Sequence, residues 1–420
     1  DRVIFKRKML EAKQQYENTK DPKLLKDISR YSNIQMAKKI SLNSAYGAIG
    51  NVWFRYYDLL VAEAITTGGQ LSIRWIERAL NKYLNNLLGT DKHDYVLASD
   101  TDSVYITFDK LVNKVFGEQP DTTKVINFLD TIATDKIEPF IDKSYQELAG
   151  YVNAYSNKMS MKREVIADKG IWTAKKRYIL NAHDVEGVRY KEPQLKIMGI
   201  EAVKSSTPAP CRQKIKDALK IIMSGDEKQL NTFIQDFREE FMQLPLEDIA
   251  YPRSVNGIKK FTSNEKSDER DMKKRQERER KKNIGKVGFV QTQFSDKGYG
   301  TLDGVTIKHG LFASGAPIHC KGAILYNHLL ERENLTHKYE LIQEGDKIKF
   351  LHLKEPNIHQ SSAISFMTKL PKELDFKSII DYETQFTKSF VEPLKFITSK
   401  ILWKIDDSYG QQGTLEDFFT

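Results

Sequence analysis

Two carboxylates stand at a tight chain reversal, where Asp100-Thr101-Asp102 separates the strand-like runs Tyr95-Val-Leu-Ala-Ser99 and Ser103-Val-Tyr-Ile106. Successive side chains on a strand point to opposite faces, so carboxylates at i and i+2 share a face, and a bend between them lets both converge on divalent cations. The segment therefore predicts a metal platform. Two cations held near each other suit phosphoryl or nucleotidyl transfer, one activating the attacking oxygen and the other steadying the leaving group. Asp-x-Asp also occurs in ordinary turns, where Asp satisfies local backbone N–H groups. The pair gains meaning only from its company.

That company lies upstream, in a stretch from Lys23 to Asn51 that contains no proline and has helical composition. Spacings of four and three stack Lys39, Asn43 and Tyr46 on one face, with Gln35 a turn earlier. Such a row offers a cation for a triphosphate, an amide to orient a sugar or a neighbour, and a ring to lie beneath a base pair. Gly47 permits close backbone approach. The competing reading is an ordinary amphipathic helix with a solvated lysine and a core tyrosine. A shorter basic helix, Arg2 to about Asn18, turns at Thr19-Lys-Asp-Pro22, which predicts an antiparallel helical hairpin.

Composition sets outer bounds. The 420 residues can bury more than one core, and the length favours two to four domains or subdomains. A net charge of +9 suits a polyanionic partner, though many basic proteins bind no nucleic acid. Cys211 and Cys320 give neither a disulfide framework nor zinc spacing, which fits a reducing cytoplasm. No apolar run approaches the roughly 20 residues of a membrane span, so no membrane partner is expected.

In order, Lys39-x-x-x-Asn43-x-x-Tyr46-Gly47 and Tyr95-x-x-x-x-Asp100-Thr101-Asp102-Ser103 resemble the fingers and palm signatures of family B DNA polymerases. Arg2-Val-Ile-Phe-Lys6-Arg7-Lys8-Met9 resembles the first fingers helix. The run Asn51-Val-Trp-Phe-Arg55-Tyr56-Tyr57-Asp58, followed by Ala64-Ile-Thr66-Thr67-Gly68, resembles the helix entering the palm. Lys175-Lys176-Arg177-Tyr178 is similar to a palm motif that holds primer-template. Lys196-Ile-Met-Gly199-Ile-Glu201, ending in Lys204-Ser-Ser-Thr207-Pro208, is similar to the start of the thumb. Ordered matches reach about Pro208, and weaker similarity continues through Gly315-Ala-Pro-Ile-His319 and Tyr326-Asn327. The pattern lies nearest replicative polymerases of the T-even-type phages.

The resemblance implies an α+β fold: helical fingers at 1–51, a palm with an antiparallel sheet and packed helices at 52–199, and a mainly helical thumb at 200–420. It implies template-directed DNA synthesis with two Mg2+ ions, for which Mn2+ can substitute. Asp102 is the expected principal metal ligand, Asp100 stands close by, and Thr101 and Glu164 support them. Arg2, Lys6, Lys39, Asn43 and Tyr46 are the expected nucleotide-binding residues, with Lys39 facing Arg2 and Lys6 and acting as a catalytic cation. Lys175, Lys176, Arg177, Tyr178 and Lys204 are expected on DNA. Primer-template and dNTP are the expected partners, in the host cytoplasm for a phage-encoded chain.

One family signature is missing. An earlier palm strand, with the pattern Asp-x-x-Ser-Leu-Tyr-Pro-Ser, supplies another metal carboxylate and the gate against ribose in that family; neither it nor the exonuclease occurs here. The chain thus reads as a C-terminal part that needs a separate N-terminal portion or subunit. Alternatives are a non-catalytic subunit that binds DNA and tethers a clamp, and an enzyme that copies or makes RNA.

The expected thumb holds an insertion at about 263–310. Asn264 to Lys282 is charged throughout and reads as a solvated helix or linker, or as a basic DNA contact. Gly285 to Gly300 resembles a cold-shock motif for single-stranded bases, or is a plain β-hairpin. At 411–420, Gln412, Leu415, Phe418 and Phe419 have the spacing of a sliding-clamp-binding peptide, unless the tail folds back on the thumb.

Overall fold

The computed structural model describes residues 1–117, 121–262, 301–302, 305–306, 311–313 and 315–406. Helices and small antiparallel sheets make an α+β fold, the expected class. Two compact units divide it, Asp1–Met198 and Gly199–Thr420. The charged stretch Asn264 to Lys282, the Gly285 to Gly300 segment and the tail with Gln412, Leu415, Phe418 and Phe419 lie outside the described residues.

The first unit opens with helices α1 (Arg2–Thr19) and α2 (Lys23–Ile49). Lys20 ends α1 in the left-handed conformation, and Pro22 leads α2 without needing an N–H partner. Asp1 lies 3.8 Å from Lys38 and the Phe5 ring 6.4 Å from that of Tyr31, so the two helices run antiparallel, as the turn chemistry predicts. Helix α3 (Leu59–Leu88) starts where the Asp58 carboxylate accepts from the Val61 N–H at 3.0 Å, and stops at Gly89, φ 66°. Helices α4 (Asp109–Phe116), α5 (Thr122–Ile132) and α6 (Glu138–Tyr151) follow, the last two joined by a π-turn.

Strands β1 (Val96–Asp100) and β2 (Ser103–Ile106) form a two-stranded ribbon, while β3 (Val165–Ala174), β4 (Arg177–Val185) and β5 (Val188–Met198) form a separate three-stranded meander. The sequence suggests one sheet for the aspartate strands and those near Arg177, but the described residues form two. Strand β5 is the element the sequence hides. Pro193 lies within it, on an edge strand and in the register shift between Arg189 and Gln194 where no ladder pair is made, so its missing N–H is tolerated.

The second unit contains α7 (Ala209–Ser224) and α8 (Glu227–Gln243), then strand β6 (Tyr251–Ser254) flanked by the single turns α9 (Leu246–Ile249) and α10 (Ile258–Phe261). The two-residue strands β7 (Thr301–Leu302) and β8 (Val305–Thr306) pair with each other, and helix α11 (Ile318–Arg332), β9 (Lys347–His352), β10 (Ala363–Phe366) and the short helices α12 (Tyr382–Phe386) and α13 (Glu392–Thr398) follow. Helices predominate in this unit, and β10, β9 and β6 make a sheet that lies outside the predicted insertion. Helix α11 lies directly on that sheet: a Cβ on Gly322 would stand 2.7 Å from the Ser365 nitrogen, so only glycine permits the approach. Phe237 and Phe241 of α8 meet Phe390 and Phe386 with ring centroids 4.7 and 5.2 Å apart, burying the other side of this core.

Candidate active site at the aspartate hairpin

A stripe on α3 fixes the hairpin's base. Ile76, Leu80 and Leu84, four residues apart and fully buried, pack with Tyr95 and Val96 of the hairpin and with Ile137, Ile141, Tyr145 and Leu148 around α6. Polar contacts set the register. The Asn81 amide oxygen accepts from the Tyr95 and Val96 N–H groups at 2.8 and 3.1 Å, Asn85 donates to the His93 carbonyl at 2.7 Å, and Trp75 donates to the Ser144 carbonyl at 3.0 Å. The ribbon leaves this anchored base and carries the acids outward.

At the tip, Asp100 pairs with Ser103, leaving Thr101 and Asp102 as the turn. The Asp102 N–H donates back to the Asp100 carbonyl at 2.6 Å, which closes a γ-turn around Thr101 at φ 58°. A β-branched residue is costly there, and the turn holds it with side-chain bonds. The Thr101 hydroxyl donates to Asp100 Oδ1 at 3.0 Å, and the Ser103 hydroxyl to the Asp100 carbonyl at 3.2 Å. Lys176 Nζ closes the cluster, donating to Asp100 Oδ1 at 2.5 Å and to Thr101 Oγ1 at 3.0 Å. Lys176 reaches it from the β3–β4 turn, where its own φ is 60°.

The two aspartates thus differ. Asp102 is exposed and its carboxylate has no hydrogen-bond or ion-pair partner among the described residues; its charge, after burial, helps to hold the Tyr145 hydroxyl above the usual phenol range. Asp100 is occupied by Lys176, whose hydrogen bond holds its carboxyl below the usual range against a smaller desolvation effect. A depressed carboxyl contributes stability above the ordinary value near 4 and loses it as pH falls through the depressed one. The contribution is small because the Lys176 side chain is 59% exposed. Lys176→Met is expected to move the Asp100 titration upward, read by carboxylate 13C NMR; an unmoved curve would remove Lys176 as the cause.

Behind the tip, the Tyr105 hydroxyl donates to that of Tyr178 at 2.6 Å, and Trp172 meets Tyr105 edge-on at 5.4 Å. Burial, then the Tyr105 bond, raises the Tyr178 hydroxyl strongly, so it stays protonated. Gly170 makes room, since a Cβ there would lie 2.6 Å from the Trp172 ring. Sequence reasoning did not find Trp172 or Tyr105 as partners: each is the single aromatic residue of its strand, β3 and β2, and no local pattern brings the two together.

The remaining expected residues fall in several places. Lys39, Asn43 and Tyr46 are exposed along α2, and Lys39 has no partner among the described residues. The lysine that reaches α1 is Lys38, whose ammonium lies over the Phe5 ring at 5.9 Å. Arg2 is half-buried with its Nε lacking a hydrogen-bond partner, whereas Lys6 is paired with Glu186 at 2.6 Å. Glu164 lies 3.5 Å from Lys196 rather than in contact with the aspartates. Lys175 is exposed and its charge helps to depress Asp100, and Arg177 begins β4. In the second unit, Lys204 pairs with Glu201 at 2.8 Å and lines a cavity of about 410 Å3 with Arg253, His352 and Lys388. Burial, then Lys388, pushes His352 down to about 4, so it is neutral at pH 7.

Asp102 suits a divalent cation, and Asp100 does so only if Lys176 yields it. Among the described residues no three His, Cys, Asp or Glu side chains cluster closely enough to hold a metal by themselves. The hairpin fits part of a cation site.

Residues 2–280 match DNA polymerase family B. The chain is 35% identical over 376 residues to a DNA-directed DNA polymerase of Enterobacteria phage T4, covering 86% of this chain and 36% of that protein. It is 36% identical over 400 residues to the DNA-directed DNA polymerase of Escherichia phage RB69, covering 92% and 38%. A DNA polymerase beta of African swine fever virus is 28% identical over 177 residues, or 40% of this chain and 14% of that protein. The chain therefore spans little more than a third of the length of the phage proteins it matches.

Proposed function

We propose, from the premise that this chain belongs to DNA polymerase family B, that it is the C-terminal portion of a DNA-directed DNA polymerase, with fingers at 1–51, the second part of the palm at 52–199 and the thumb at 200–420. The observation that carries the reading is the exposed Asp102 carboxylate, without a partner among the described residues, at the tip of a ribbon whose neighbouring acid is held by Lys176. Family B polymerases use divalent metals, and Mg2+ is the proposed pair, with Asp102 as a principal ligand and Asp100 beside it. When bound, the cations would activate the primer 3′-hydroxyl and steady the triphosphate charge. A P–O bond forms to the α-phosphorus of the dNTP, the hydroxyl proton leaves, and the bond to pyrophosphate breaks. Arg2, Lys6 and Lys39 neutralise the triphosphate, Asn43 orients the nucleotide, and Tyr46 underlies the base pair. Lys175, Lys176 and Arg177 hold the primer-template, and Tyr178, expected on DNA from the sequence but buried against Tyr105, supports their turn from behind; Lys204, Arg253 and Lys388 suit phosphates of the duplex.

A further carboxylate is then needed from polypeptide beyond the described set. The first half of α3 and the segment before it support such a partner: Trp53 is 92% exposed and Leu60 77%, with Val52, Tyr56, Leu59, Val61 and Ile65 also exposed. A helix apolar on every side is normally buried. The spacing of Gln412, Leu415, Phe418 and Phe419 supports a sliding-clamp peptide, and tethering by it would raise the effective concentration at the primer end. Among the described residues no helix is long and apolar enough to cross a membrane.

The test is reconstitution. This chain alone is expected to extend a primer poorly, and adding a polypeptide with the remaining N-terminal two thirds should restore synthesis. Robust extension without it would overturn the split of the site between two portions. No extension with it, despite complex formation, would favour a non-catalytic DNA-binding subunit.

A further inference from the structure

The turn between β4 and β5 carries a residue that its backbone does not favour. Val185 pairs with Val188, which leaves Glu186 and Gly187 as the two turn residues, at φ 53° and 88°. Positive φ at both is the pattern of a type I′ turn, whose first central position ordinarily takes Asn, Asp or Gly. A glutamate there is strained by its Cβ and needs another reason. Its carboxylate meets Lys6 Nζ at 2.6 Å.

The turn is built as a rigid post. Asp184, fully buried, accepts from the Gly187 N–H at 2.9 Å and pairs with Arg163 and Arg189. Helix α1 meets this post twice, since the Gln14 side-chain oxygen also accepts from the Arg189 N–H at 2.7 Å. Of the three cations assigned to the triphosphate, Arg2 and Lys39 have no ion-pair partner among the described residues, and Lys6 has Glu186.

We infer that Glu186 is a holding site for Lys6, a positioning residue that keeps its ammonium from the triphosphate until the helical hairpin moves and Lys6 exchanges one anion for the other. The inference rests on the reading of Lys6 as a triphosphate ligand. Glu186 makes nucleotide binding weaker than it would otherwise be, and ties the release of α1 from the palm to arrival of the correct dNTP. A half-exposed pair of this kind weights an equilibrium roughly two- to five-fold.

The experiment measures the Kd for dNTP on a dideoxy-terminated primer-template and, separately, kcat, in the polymerase reconstituted with its N-terminal portion. Lys6→Met should raise the Kd roughly 10-fold or more, the weight of a charge-assisted contact to phosphate; an unchanged Kd would sink the triphosphate reading itself. Glu186→Gln should lower the Kd two- to five-fold with kcat unchanged. Glu186→Asn should do the same while keeping or raising thermal stability, because Asn is at home in this turn, so a folding defect cannot mimic the result. In the Lys6→Met background neither change should matter. If Lys6→Met weakens binding but both Glu186 variants leave the Kd unmoved, or lower it without Lys6, the holding role is overturned and the triphosphate reading stands.

Discussion

Asp102→Asn is expected to lower the rate of nucleotide addition at least ~10²–10³-fold in the reconstituted polymerase, by analogy with removal of other transition-state charge stabilisers. Asparagine has the size of aspartate, so the loss is one of charge at the metal. Because the Asp102 carboxylate is exposed and unpartnered among the described residues, stability should change by no more than about 0.5 kcal/mol. Primer-template affinity should hardly move, since the proposed DNA contacts come from the Lys175–Arg177 turn and the second unit. Asp100→Asn makes a less clean probe, because it also breaks the contacts to Lys176 and Thr101. The measurement is single-turnover extension at saturating dNTP beside primer-template binding by anisotropy. Wild-type turnover would take Asp102 out of the metal site.

The parts of this molecule that were legible in the sequence are those set by local rules. The turn at Lys20 to Pro22 and the uninterrupted run from Lys23 specify the helical hairpin, and strand alternation around Asp100 specifies the ribbon. Non-local choices were hidden. Nothing around Pro193 says that β5 is an edge strand, because that depends on β4 lying beside it on only one side. The Lys176 contact to Asp100 joins positions 76 residues apart, and it decides which acid is left without a partner among the described residues. Helical spacing puts Lys39 and Lys38 100° apart on α2, but only the packing of α1 determines that Lys38 is the one turned inward. One signal was present and unread: Asp184 lies two residues beyond Ala182 and four beyond Leu180, on the face of β4 that both bury, where a charge requires partners.

Those partners make Asp184→Asn the substitution with the largest expected effect on stability. Asp184 is 0% exposed on β4, receives Arg163 and the Gly187 N–H on one oxygen, and has Arg189 Nε 2.5 Å from the other. The same two guanidiniums each reach Asp130 of α5 at 2.8 Å, so two cations and two anions balance at the junction of α5, β4 and β5. Removing one carboxylate charge leaves two arginines to share the half-exposed Asp130 and turns a charge-balanced network into an excess of positive charge. Breaking such a pair costs about 3–5 kcal/mol, against near neutrality for replacing all its members by apolar groups. For a unit of this size that is a fall in Tm of roughly 6–20 °C. Asp130→Asn should cost much less, because water reaches that carboxylate and Asp184 would still face both arginines. Thermal unfolding followed by circular dichroism separates the cases, and a fall under about 2 °C for Asp184→Asn would mean that water or rearrangement satisfies the arginines. The loss should also reach the helical hairpin, because the turn that carries Glu186 is held by Asp184 through Gly187. Loosened α1 amides in hydrogen exchange, with the α3 and α6 core protected, would trace that path from a buried charge to the nucleotide-binding helix.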